Sequence, residues 1–192
     1  MSGADFHGGQ VWLFLNNPHA VSNGGKWGND TGQLPAYDVL TASNIDSYSV
    51  QANATSIGAG DLGVVYRVDG AHAVARRAGD AAASGASAAR PSRHIGGIVA
   101  LAYVTSSPWR GGDGGAYVNW DLIRLAPEYW ISSREMADSG LWTNKTPFGT
   151  NHQATTPVRQ TRDQWQWLQS TFTQRGLPDI ASLFHLDLEP DR

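Results

Sequence analysis

At 192 residues with 41% hydrophobic content, the chain is long enough for one well-filled domain. A net charge of −3 argues against a protein that coats phosphate backbones at large, and the absence of cysteine excludes disulfides and thiolate metal sites. No apolar run approaches the ~20 residues of a membrane helix, and the start, Met1 to His7, lacks the basic and apolar regions of a signal peptide, so a cytoplasmic protein is expected.

Charge is unevenly spread. Residues 66–110 carry Arg67, Arg76, Arg77, Arg90, Arg93 and Arg110 against Asp69 and Asp80, whereas the stretch from Asp179 is acidic. A partner read through a local basic face is compatible with that asymmetry. Tryptophan is abundant, with 8 residues, several of them in polar surroundings.

In chain order, Gln10–Leu15 reads as a first strand, too apolar for an exposed edge, and Pro18 bars its continuation past Asn16 and Asn17. Residues 22–35 form a Gly/Asn-rich loop in which Trp27 either covers a hydrophobic edge or acts as a lid over a pocket. Tyr37–Leu40 starts a short helix or turn, and Ile45–Gln51 is a short extended piece. Leu62–Arg67 and Ile95–Thr105 are β-branched and aromatic runs bounded by turn residues, the pattern of buried strands. The rest of the chain is expected to fold around this pair. Between them, residues 71–94 are rich in Ala, Gly and Ser with little to bury. Two readings stand for this insert: an arm that touches nucleic acid through its four Arg, or a solvated insertion with incidental charge.

After Trp109, the run Arg110–Gly115 reads as flexible, and Tyr117–Leu125 alternates as a half-buried strand does. Ser132 followed by Glu135 has capping-box spacing and predicts a short helix, Ser133–Ser139, stopped by Gly140. Leu141–Thr156 is a second polar and aromatic loop, and Pro157–Gln160 a last strand or its end. Thr161 caps an amphipathic helix, Arg162–Arg175, with Trp165, Leu168 and Phe172 on one face and Gly176 and Pro178 at its end. One domain over residues 1–178 is expected. The tail, 179–192, either packs back through Ile180, Leu183 and Phe184 or leads to a further module.

Little supports catalysis. The histidines are dispersed, and there is no nucleophile elbow, phosphate loop or dinucleotide fingerprint. His185, Asp187 and Glu189 would share one face of a strand, but a solvated tail is the preferred reading, so no metal, cofactor or catalytic residue is expected. What recurs is aromatic rings beside amides and hydroxyls, at Tyr48-Ser49, Ser106–Trp109, Trp142–Asn144 and Phe148–Asn151. A flipped nucleobase is held by such parts, stacked on rings while polar groups read its edge. Trp12, Trp120 and Trp165 lie in periodic patterns and read as core; Trp109 and Phe148, flanked by Pro, Gly and Ser, fit core or pocket equally.

The order of segments VWLFLNNP, YSVQANATSIGAGDLGVVYRVDG, GGIVALAYVTSSPW, EYWIS, LWTNKTPFGTNHQATTPVR and TRDQWQWL resembles the EVE domain of the PUA-like superfamily over about residues 10–170. That domain is a relative of the YTH and ASCH domains, and the likeness is to the bacterial branch found in front of HNH nucleases. The resemblance implies an α+β fold: a strongly bent, near-closed β-barrel wrapped by a few α-helices. It also implies a non-catalytic, restriction-associated reader that flips a modified cytosine of DNA, most often 5-methylcytosine, into an aromatic pocket. By position the pocket would draw on Asn16, Asn17, Tyr48, Ser49, Trp109, Phe148, Thr150 and Asn151. Contacts to the DNA backbone would come from Arg76, Arg77, Arg90, Arg93, Arg110 and Lys145. Tyr48 stands where many members carry Trp, which keeps a stacking face, and the Arg/Ala insert is unusual for the family. No HNH motif occurs up to Arg192, so a nuclease partner would be a separate or C-terminal module. A modified-RNA reader of the YTH or PUA type, or a PUA-like binder of small molecules or nucleotides, are the alternatives.

Overall fold

The structure is a computed structural model, and it describes residues 5–16, 39–40, 46–50, 54–67, 96–142 and 157–186. Its strands are β1 (Asp5–Phe6), β2 (Gly9–Asn16), β3 (Ser47–Ser49), β4 (Leu62–Arg67), β5 (Gly97–Val104), β6 (Trp109–Arg110), β7 (Ala116–Arg124), β8 (Ile131–Ser132) and β9 (Val158–Arg159). The helices are α1 (Ser133–Asp138), α2 (Arg162–Gln174) and α3 (Ile180–Leu183), with a 3₁₀ turn at Pro127–Tyr129.

The strands form one mixed sheet of order β1-β2-β4-β5-β7-β3, with β6 on β7, β8 on β5 and β9 on β2. β2 and β4 are parallel, whereas β4, β5 and β7 succeed one another antiparallel. All six residues of β4 are buried, as its unbroken apolar run requires of a strand covered on both faces. Between Val65 and Tyr66 the β4–β5 register slips by one residue, so Val99 bulges, a device that bends a sheet.

Alternation along these strands feeds two separate cores. Val11, Leu13 and Leu15 of β2, Leu62, Val64 and Tyr66 of β4, and Ile98 and Leu101 of β5 pack against the helices, meeting Met136, Trp165, Leu168 and Phe172. Trp12 and Phe14, Val65, Ala100, Ala102, Val104, Val118 and Trp120 point the other way and fill the inside of the curl, covered by Val39, Val50 and Ile57. Trp12, Trp120 and Trp165 are thus core residues, as their periodicity predicts.

The expected near-closed barrel is instead an open half-barrel. The outer edge of β2 is already occupied, by β1 at Gly9 and Gln10 and by β9 at Trp12 and Leu13. β3 is only three residues long and pairs with β7 alone among the described strands. Among the described residues, no ladder therefore joins the two ends of the sheet.

The helical caps form as their spacing predicts. Ser132 accepts from the Glu135 amide while Glu135 reaches back to Ser132, and Thr161 and Gln164 repeat the arrangement on α2. Arg175, at the far end of α2, bonds both Trp130 O and Glu135, tying the two helices together. Ile180 and Ala181 are buried in the helix-side core, and Phe184 lies 5.7 Å from Tyr103, so the tail packs back as far as Leu186. His185 has φ 53° and sits after a helical turn, not in a strand, and Asp187 and Glu189 lie outside the described residues.

Candidate nucleic-acid interface

Tyr48 is the middle residue of β3 and the register partner of Val118, which turns its ring into the curl. The ring meets Phe14 edge-on at 4.9 Å and lies tilted on Trp120 at 4.9 Å, while Phe14 and Trp120 meet at 5.1 Å. Its hydroxyl donates to Leu15 O at 2.7 Å. Burial pushes the Tyr48 phenol well above its ordinary pKa. Tyr48 is therefore a neutral, fixed aromatic wall. Gly63 makes room for this cluster: a Cβ there would stand 2.5 Å from the Phe14 ring and 3.1 Å from Ala102 Cβ.

Where β2 and β4 end, the inner face turns polar. Asn16 and Arg67 are direct partners, two residues beyond Phe14 and Val65, and Arg124 pairs with Ala100. Period-two alternation puts all three side chains on the same face as the aromatic wall. Asn16 Oδ1 accepts from Val39 N at 3.2 Å and Arg124 Nε donates to Val39 O at 2.7 Å, so one backbone residue is gripped from both sides. Arg67 is 8% exposed, an unusual burial for a cation. An amide and two guanidinium groups thus gather at one end of the packed aromatic cluster, each engaged within the protein.

Of the residues expected in the pocket, the structure brings Asn16 and Tyr48 together. Trp109 is placed elsewhere: it pairs with Tyr117, and Tyr117 and Val118 face opposite sides of β7. Trp109 therefore lies on the outer face, two strands in from β3, whose Tyr48 faces the inner side. Ser49 pairs with Tyr117 and shares that outer row; it is buried, and its hydroxyl has no hydrogen-bond partner among the described residues. Arg110 is exposed and bonds Gly114 O. Asn17, Phe148, Thr150 and Asn151, and the basic residues Arg76, Arg77, Arg90, Arg93 and Lys145, lie outside the described residues. Trp142 belongs to the helix-side core, where its indole donates to Gln160 Oε1 at 3.2 Å.

Sequence reasoning missed Arg67 and Arg124. The signal was present: Arg67 continues the alternation Gly63, Val65 and Arg124 the alternation Trp120, Leu122, so each is the polar terminus of an inward-facing row. It also missed Asp61, read only as a turn residue. Asp61 is buried and accepts from Gln10 N, Trp12 Nε1 and Gly58 N at 2.7, 2.8 and 3.0 Å, locking the start of β4 to β2.

Fold and site together define an α+β protein built on a curled, open mixed sheet with a donor-rich end to its concave face. No family model matches the chain, and no curated protein does. Among solved structures it is similar to a hypothetical protein from Leishmania major, with TM-score 0.52 and 8% identity over 88% of this chain and 97% of that one. It also matches the NMR structure of Rpa0253 from Rhodopseudomonas palustris, with TM-score 0.44 and 11% identity over 88% of this chain and 95% of that one. The first likeness speaks for the fold.

Proposed function

We propose that the chain reads a modified cytosine in DNA, 5-methylcytosine first, by taking the extruded base against the aromatic wall of its concave face. The observation that carries this reading is the convergence of Asn16, Arg67 and Arg124 at one end of a face lined by Phe14, Tyr48 and Trp120. The half-buried Tyr48 ring, backed by the buried Phe14 and Trp120, would supply the stacking face, and the amide and guanidinium groups suit the O2 and N3 acceptors of a cytosine edge.

Magnitudes divide the work. A single methyl group in an apolar site is worth about 1–3 kcal/mol, and extruding a base costs a few kcal/mol. The concave face therefore sets preference, and phosphate contacts by Arg110, Lys145 and the insert's Arg76, Arg77, Arg90 and Arg93 supply the remaining affinity. The protein is a cytoplasmic reader with no chemistry of its own, and cleavage belongs to a separate HNH module.

A duplex with 2-aminopurine beside a single 5-methylcytosine tests extrusion. Protein binding is expected to raise 2-aminopurine fluorescence as its neighbour leaves the stack. Binding with unchanged fluorescence would contradict base flipping.

A further inference from the structure

We propose that Trp109 and Tyr117 form a second nucleobase site, a stacking platform on the outer face of β7 for the base flanking the extruded one. This rests on the DNA-reading proposal above.

Trp109 is the exposed large hydrophobic residue of the described chain, at 42%. Its ring lies on Tyr117 at 5.2 Å with only 29° between planes. The polar edges of both rings are committed: Trp109 Nε1 donates to Asn119 Oδ1 at 2.9 Å, and Tyr117 OH donates to Asp113 Oδ2 at 2.6 Å. The backbone beneath is held as firmly. Asn119 N donates to Ser106 Oγ at 2.9 Å, and Gly114 and Gly115 close a hairpin turn onto Gly111 and Asp113. Gly111 and Gly115 admit the Tyr117 ring, since a Cβ on either would come within 2.7 or 2.8 Å of it. The run expected to be flexible is thus an ordered turn wrapped around an aromatic ring.

What this arrangement offers is a fixed π-face whose N–H is already used, so it attracts a planar ring without reading its edge. That is the sequence-tolerant stacking used for unpaired bases. Near-parallel rings in mutual contact form a platform; they do not enclose a methylammonium group as a cage would. Little rotamer freedom is left to lose on binding, which favours stacking on this site.

Position supports the same occupant. Ser49, Tyr117 and Trp109 form one cross-strand row running in from β3, an end of the sheet, and two strand spacings are about 10 Å. Tyr48, the chain neighbour of Ser49, lines the concave face. A strand whose extruded base meets Tyr48 can pass round the β3 edge and lay its next base on Trp109.

The test is an anisotropy titration on oligonucleotides carrying one 5-methylcytosine, each flanking nucleotide being either intact or abasic. Wild type is expected to lose about ten-fold in affinity when a flanking base is removed. Trp109→Ala is expected to bind the intact strand that much more weakly and to be indifferent to the abasic site, while Trp109→Phe keeps the sensitivity. Equal sensitivity in wild type and Trp109→Ala, or none in wild type, would overturn the platform. Binding without preference for 5-methylcytosine would refute the reader proposal while leaving the flanking-base comparison decisive for Trp109. Failure to bind any of these strands would overturn both.

Discussion

The hydroxyl of Tyr48 and the carbonyl of Leu15 meet at 2.7 Å although their strands lie near opposite ends of the sheet order. That one hydrogen bond spans the mouth of the half-barrel where a closed barrel would have a ladder. Tyr48→Phe keeps the ring and removes the bond to Leu15 O, and is expected to cost about 1 kcal/mol in urea unfolding. The variant also tests the raised phenol pKa. A group whose folded pKa is raised stabilises fully below its unfolded pKa, here the ordinary 10.0, and loses that contribution as pH climbs towards the folded value. Wild type should therefore weaken above about pH 10 more steeply than Tyr48→Phe.

Asp61 is a carboxylate with three donors aimed at it in a buried setting. Asp61→Ala strands Gln10 N, Trp12 Nε1 and Gly58 N together, and about 3 kcal/mol of lost stability is expected by chemical denaturation. Trp12→Phe orphans only part of this acceptor set and should cost less.

Gly63→Ala drives a methyl group into the Phe14 ring. Overpacking of this kind costs about 1–3 kcal/mol. Because Phe14 backs Tyr48, the variant should also weaken binding to modified DNA, whereas Asp61→Ala at a temperature where it stays folded should not. Affinity measured on both separates a displaced wall from a loosened fold.

Burial works to raise the Glu135 carboxyl, but hydrogen bonds from Ser132 and the Arg175 guanidinium outweigh it and hold the pKa below the usual value. A depressed folded pKa gives stability that is complete above the unfolded value and fades as pH falls through the folded one. Glu135→Gln preserves the capping-box geometry and removes the charge. Its melting temperature should fall less than that of wild type on acidification below about pH 4.3. Ser132→Ala, which breaks the cap itself, should cost about 1 kcal/mol at neutral pH.

What could be read from sequence was what is local. Leu62–Arg67 has the residues of a buried strand and is one, and the Ser132–Glu135 capping box announces itself by spacing alone. The face on which a side chain falls depends on register, which is not local. Trp109 sits on a two-residue strand whose pairing with Tyr117 is set by the Gly-rich turn between them, so proximity in sequence to polar residues gave no hint that it lies on the face opposite Tyr48. Arg67 and Arg124 come from strands separated by β5 and converge only because alternation and bulge align them. Barrel closure failed for a similar reason: the pairing of β9 with β2 consumes the edge that closure needs.

The central claim is preference for a modified cytosine, and the most direct measurement is an anisotropy titration of three duplexes differing at one position, cytosine, 5-methylcytosine or 5-hydroxymethylcytosine. Tighter binding of a modified duplex by about ten- to two-hundred-fold is predicted, with the difference abolished in Arg67→Gln or Asn16→Ala. Equal affinity for all three would contradict it and leave only charge attraction between DNA and the arginines.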